Sequence, residues 1–337
     1  MIARRLIFPG FERKLRPLTG QFVGFAFTGP TFDADNRPAC ITLFQMSDIP
    51  KLRMASKETP EDLARRFERE TRRVLEQRED DLENSLAPFR VGSVAFLNAV
   101  PLTRGLEEQI QFMPPSELAA RLQRDELDAG LVSVTEVLFN DRYDVLDGIA
   151  IASLGEVMSV FLAHKQPLEE IREIFFDPAS LTSVNLLKVL LAERGLTPAF
   201  RTLPDYKSAP ALENVLLIGD HGIEFLRAPH DHTIIDLGSA WFELTQLPFV
   251  YAVWALRRGT ENSQLRRQLR EARNFGLDTL DHIISSRPEF DREFRQDYLS
   301  WHIHYHLGAD EKRGLAKFID LLRKHGLGPV FEPRFVV

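Results

Sequence analysis

Residues 248–256 carry no polar break except the Tyr251 hydroxyl, the Trp254 indole N–H being the one other side-chain donor. A run so short and so apolar, rich in valine and aromatic side chains, offers water no face, so it predicts a strand covered on both sides. Such a strand needs a sheet with helices packed against it. The chain from Val91 onward supplies that pattern. Runs at 91–97, 128–134, 149–153, 157–163, 174–176, 215–220 and 233–238 read as strands, several of them leading straight into turns. Helical spacing lies between them, at 117–124 with Ser116 as the N-cap, and where Val184, Leu187 and Leu191 recur up to a C-terminal Gly195. Roughly the last eighty residues read as helical. Strand and helix in alternation predict an α/β fold on mainly parallel sheets.

Residues 1–88 differ in texture, with acidic and basic side chains in near balance, and read as an N-terminal extension. Short strands are expected at 21–27 and 39–44, and a charged helix at 60–84, capped by Thr59 with Pro60 in its first turn. Its apolar positions, Leu63, Phe67, Val74, Leu75 and Leu82, make a narrow stripe, so most of that helix should face water. The 337-residue chain is 44% hydrophobic and 27% charged, the balance of a globular protein. A net charge of −7 argues against nucleic acid as a partner, because phosphate neutralisation needs a basic face. Cys40 is the only cysteine, so neither an internal disulfide nor a cysteine-built metal cluster can form. No apolar stretch approaches a membrane span, and the run before Pro9 is too short for a secretory signal. The expectation is a cytoplasmic protein acting on a small molecule, with no membrane partner; oligomeric state is not encoded in any recognisable motif.

Three loops share one design, in which a strand gives way to small polar residues and exposed backbone amides. The first begins at Asn98 in the segment 90–102, where a side-chain amide at the carboxyl end of a strand sits where α/β sheets bind ligands. An Asx-turn, with Asn98 bonding its own backbone, is the bland alternative. Pro101 is expected to hold Val100 extended and to stop any helix there. The second loop is 155–159, where Gly155 permits a turn, Glu156 is a candidate acid or base, and Ser159 offers a hydroxyl. In the third, Ser180, Thr182 and Ser183 stand at a helix N-terminus, a place that favours anions, although simple capping also explains them. Asp220 ends a strand where a ligand would sit, or merely forms a turn. His302, His304 and His306 invite a metal reading, and a helix would put His302 and His306 on one face, but two imidazoles with no carboxylate or cysteine nearby make a poor site, and helix packing explains them better. No phosphate-binding Gly-Lys loop, Gly-x-Ser-x-Gly elbow or His-Glu-x-x-His helix is present.

Taken in order, Val91-Gly92, Phe96-Leu97-Asn98, Pro101-Leu102, Gly155-x-Val-Met-Ser159-Val160 and Ser180-x-Thr182-Ser183-Val184 resemble the chorismate dehydratase family of menaquinone biosynthesis. Leu217-Ile-Gly-Asp220, Asp236-Leu-Gly238 with Trp241, and the stretch 247–254 extend the likeness, which covers about 89–337. The resemblance implies a two-lobed type II periplasmic-binding-protein-like fold with the substrate between the lobes. The first lobe would comprise 89–157 and 251–337, the second 158–250, with 1–88 outside both. It further implies conversion of chorismate to 3-[(1-carboxyvinyl)oxy]benzoate and water, the entry to the futalosine route, by a lyase needing no metal or redox cofactor. Asn98 would contact substrate, Ser159 would be the active-site hydroxyl, and Ser180, Thr182, Ser183 and Asp220 would bind substrate. The resemblance also implies that the substrate's own enolpyruvyl carboxylate takes the ring proton, with which the lack of any histidine between residue 89 and His164 is consistent, although Glu156 could act as a base here.

Two other readings compete. The 1,4-dihydroxy-6-naphthoate synthase of the same pathway shares the fold, but its opening loop resembles Cys-Pro-Asn-Asp, where this chain has 96–99 as Phe-Leu-Asn-Ala. A cytosolic solute-binding or sensory module would close on a ligand without reacting, and such a sensor would carry an output domain that 1–88 does not resemble.

Overall fold

A computed structural model describes residues 59–337 apart from 84, 179, 180 and 260. The strands expected at 21–27 and 39–44 and the candidate Ser180 lie outside the described residues. One sheet runs in the order β2 (Ile110–Phe112), β1 (Val91–Ser93), β3 (Ala129–Ser133), β10 (Phe249–Arg257), β4 (Tyr143–Ser153), β11 (Arg334–Val336). A second runs β7 (Ala199–Thr202), β6 (Glu173–Phe176), β8 (Asn214–Ile218), β5 (Val160–His164), β9 (Thr233–Asp236). Pairing is parallel in each except around one strand: β10 is antiparallel to β3 and β4, and β5 is antiparallel to β8 and β9. The chain therefore leaves the first sheet after β4, builds the whole of the second, and returns through β10. That return strand is the apolar run of 248–256, and Val253, Trp254, Ala255 and Leu256 are fully buried in it.

Helices cover both sheets: α1 (Pro60–Leu82), α2 (Val100–Thr103), α3 (Pro115–Gln123), α4 (Val134–Phe139), α5 (Leu181–Ala192), α6 (Gly219–Arg227), α7 (Leu237–Thr245), α8 (Ser263–Asp278), α9 (Leu280–Ser286), α10 (Arg292–Asp297) and α11 (Ala309–Lys324). Helix α5 ends as its glycine predicts. Gly195 takes φ +73°, and the Leu196 N–H returns to the Leu191 carbonyl at 2.9 Å. No described helix is long and apolar enough to cross a membrane.

Several local expectations change: β11 lies within the last eighty residues expected to be helical, and the strand expected at 215–220 ends at Ile218, where α6 begins. Strand β1 stops at Ser93, well short of Leu97. Val100 is helical rather than extended, with φ −54° and ψ −45°, and Pro101 sits inside the first turn of α2. A first-turn proline forfeits no intrahelical hydrogen bond, so the ring is tolerated and its bias against a helical predecessor is overridden. Helix α3 starts one residue before Ser116, at Pro115, behind Pro114.

Helix α1 is exposed along most of its length but not at its end. Leu82 and Leu86 are buried in the main core, and Arg78 pairs with Glu271 and Asp278 of α8, each at 2.8 Å. The Gln109 amide fastens the turn beyond it, donating to the Leu82 carbonyl at 2.8 Å and accepting the Leu86 N–H at 2.9 Å.

Candidate functional site

A cavity of about 640 Å³, its solvent-open mouth included, lies between the two sheets. Val94, Phe96, Leu131, Ile151, Val160 and Ile218 give it apolar walls. Its polar side chains are one amide, Asn98, and the hydroxyls of Ser133, Ser159, Thr182, Ser183 and Tyr251. Among the described residues that line it there is no carboxylate, imidazole, amine or guanidinium.

Ser159 is aimed by a half-buried acid. The loop between β4 and β5 puts Met158 at φ +63°, a left-handed conformation that a residue with a Cβ adopts only when its surroundings enforce it. Asp236 does so. Its carboxylate accepts the Met158 N–H at 2.9 Å and the Val157 N–H at 3.1 Å while also capping α7 through the Ser239 N–H at 2.9 Å. Burial pushes the Asp236 carboxyl upward, and the three N–H bonds oppose that by favouring its charged form. Gly238 is required beside it, since a Cβ there would lie 2.2 Å from the Gly155 carbonyl oxygen and 2.9 Å from the Tyr251 hydroxyl. The Asp236-Leu-Gly238 motif thus serves the loop that carries Ser159.

Asn98 and Ser159 meet through a residue that sequence reasoning missed. Asn98 Nδ2 donates to the Tyr298 hydroxyl at 3.1 Å, and the Tyr298 O–H donates to Ser159 Oγ at 2.8 Å. Tyr298 is fully buried and opens a single π-helical turn, Tyr298–His302, an irregularity that frequently marks functional positions. The chain of bonds has a direction. With Oγ occupied as an acceptor, the Ser159 proton is left to donate elsewhere. Asn98 Oδ1 is buried with no partner among the described groups, which costs about 1–3 kcal/mol until a donor reaches it. Nothing in the sequence singles out Tyr298 beyond its nearness to Trp301 and Tyr305.

The remaining candidates separate. Thr182 and Ser183 line the cavity at the start of α5. Thr182 is also tied across it: its hydroxyl pairs with Ser133 Oγ and accepts the Thr135 N–H at 3.1 Å, and its own N–H donates to Ser133 Oγ at 2.9 Å. Asp220 does not line the cavity. Its carboxylate spans the cleft to accept the Leu97 N–H at 3.2 Å, and burial raises its pKa to about 6. Glu156, the candidate acid or base, is likewise outside the lining, with its side chain 59% exposed and its backbone oxygen bonded to His302 Nδ1 at 2.9 Å. A loop held by Asp236 through its backbone turns that side chain to solvent. His302 and His306 do not share a helix face either, because the π turn ends at His302 and His304 then pairs with Ala152 as an isolated β-bridge.

Comparison with known proteins adds four findings. The menaquinone biosynthesis family matches residues 89–324. A chorismate dehydratase from Thermus thermophilus is 33% identical over 274 residues, covering 74% of this chain and 99% of that protein. Among solved structures, a protein from Archaeoglobus fulgidus superposes with a TM-score of 0.58 at 19% identity, covering 71% of this chain and 98% of its own. The alkanesulfonate-binding protein SsuA from Xanthomonas axonopodis pv. citri, bound to MOPS, does so at 0.50 and 18%, covering 72% of this chain and 94% of its own. The fold is the two-lobed type II periplasmic-binding-protein-like one.

Proposed function

This chain belongs to the menaquinone biosynthesis family, and from that premise we propose that it is a chorismate dehydratase, a lyase that turns chorismate into 3-[(1-carboxyvinyl)oxy]benzoate and water. The reaction removes the ring hydroxyl and the proton on the neighbouring ring carbon, and the ring becomes aromatic. Aromatisation supplies the driving force, so the protein's task is to hold a reactive conformer and stabilise charge as it develops.

The observation that supports this reading is the cavity wall, which among the described residues offers hydroxyls and an amide but no side chain suited to taking a carbon-bound proton. The substrate's enolpyruvyl carboxylate fills that role. It accepts the ring proton and passes it to the departing hydroxide, so one water leaves and both carboxylates end ionised. Ser159, already accepting from Tyr298, donates its proton as a hydrogen bond to the leaving oxygen. Asn98 Oδ1 accepts from the same ring hydroxyl in the ground state and so orients it. The start of α5, with Thr182 and Ser183, receives a carboxylate at the positive end of the helix. The test is incubation of the purified full-length chain with chorismate, followed by chromatography of the products. The aromatic ether should accumulate as chorismate disappears; chorismate consumed no faster than in buffer would overturn the assignment.

A further inference from the structure

We propose that His304, His306 and Glu311 form a binding site for one divalent transition-metal ion of the zinc class, outside the catalytic cavity. None of the three lines that cavity. The His304 backbone is paired in both directions with Ala152, so this stretch is locally extended, and residues two apart on extended chain project to the same side. The two imidazoles accordingly lie together, with ring centroids 5.3 Å apart. Glu311 reaches them from the first turn of α11. It is the carboxylate that spacing in the sequence could not place beside the histidines.

The geometry suits a cation better than an ion pair. Glu311 Oε1 lies 3.1 Å from His306 Nε2 and 3.8 Å from His304 Nδ1, and the three candidate ligand atoms all fall within 4.8 Å of one another. Tetrahedral zinc, with bonds of about 2.0–2.1 Å, spaces its ligand atoms roughly 3.3 Å apart, so small side-chain rotations complete the set. The other Glu311 oxygen accepts the Gly308 N–H at 2.9 Å, an outer bond of the kind that orients metal ligands. Glu311 is buried, with its side chain 4% exposed. A Glu311–His306 pair alone leaves His304 Nδ1 buried and without a hydrogen-bond partner; an ion would satisfy all three. The neighbouring cations are engaged elsewhere, Lys312 with Asp147 and Arg313 with Asp310, each at 2.6 Å. Two imidazoles and one carboxylate leave a fourth position for water, on the side where His306 is 56% exposed. Bound there, the ion would fasten the chain that follows the Tyr298 turn to α11.

The probe is Zn²⁺ titrated calorimetrically into chelator-treated full-length protein, with Co²⁺ and its visible absorption as a report on coordination geometry. One equivalent should bind the unmodified chain, Co²⁺ should give a tetrahedral spectrum, and His304→Ala and His306→Ala should each weaken binding by about tenfold or more. His306 is exposed, so that variant should fold and decides the matter if His304→Ala does not. Absence of a one-to-one isotherm, or Zn²⁺ bound equally by the unmodified chain and His306→Ala, overturns the site.

Discussion

At the scale of single residues, the hydrogen-bond chain Asn98–Tyr298–Ser159 separates contact from positioning. Asn98 and Ser159 face the cavity, whereas Tyr298 stands behind them. Ser159→Ala and Asn98→Ala should each lower kcat for chorismate by about 10²–10³-fold, the range for losing a bond that strengthens in the transition state. Tyr298→Phe should lower kcat by roughly ten- to a hundredfold with KM nearly unmoved, because the substrate meets the same wall while the Ser159 proton loses its fixed direction. Product formation measured against chorismate concentration separates the cases; a Tyr298→Phe enzyme whose loss lies wholly in KM would reassign Tyr298 to the binding surface. The sequence exposed only half of this arrangement. Asn98 and Ser159 announce themselves locally, by following strand-like runs, but the hydroxyl that links them comes from 200 and 139 residues away along the chain.

At the scale of elements, legibility followed burial. Strand β10 could be read because both its faces are covered, and helix α5 because nine of its twelve residues are buried and Gly195 marks its end. The turn at Val100-Pro101 could not, since a general preference of the residue before proline gave way to packing of α2 on α8, where Gly276 leaves room for the Pro101 carbonyl. Helix α1 divides along its length. Its exposed stripe was legible from charge density, but the docking of its last turn through Leu82, Arg78 and Gln109 depends on partners in the lobe itself. That division is testable by stability. Leu82→Ala should cost about 2–5 kcal/mol by opening a cavity in the main core, while Phe67→Ala, at a position 72% exposed, should change stability by less than about 0.5 kcal/mol. Urea denaturation of both variants gives the comparison; equal and small effects would mean that the end of α1 is not part of the core.

At the scale of the molecule, the two sheets form a cleft joined by specific bonds. Thr182 meets Ser133 and Thr135 on one side of the cavity, and Asp220 meets the Leu97 N–H on the other, with Arg227 pairing to Asp291 further out. Such contacts favour the closed arrangement of the cleft and so weigh on any balance between open and closed forms. Asp220 makes that balance dependent on pH. Burial chiefly raises its pKa to about 6 from an ordinary 3.8, Glu289 and Glu224 push the same way, and the Leu97 bond and His221 oppose them. The native state therefore holds a proton on Asp220 that the unfolded chain has already released. Asp220 contributes its full stability below about pH 3.8, and that contribution is lost as pH rises through about 6. Asp220→Asn keeps the shape and one acceptor for Leu97 but does not titrate. The stability of the unmodified protein minus that of the variant should fall by roughly 3 kcal/mol at most between pH 4 and 6, and stay flat above pH 7. Denaturant unfolding of the pair across that range measures it, and a difference that rises with pH would show that the ionised carboxylate fastens the cleft rather than straining it.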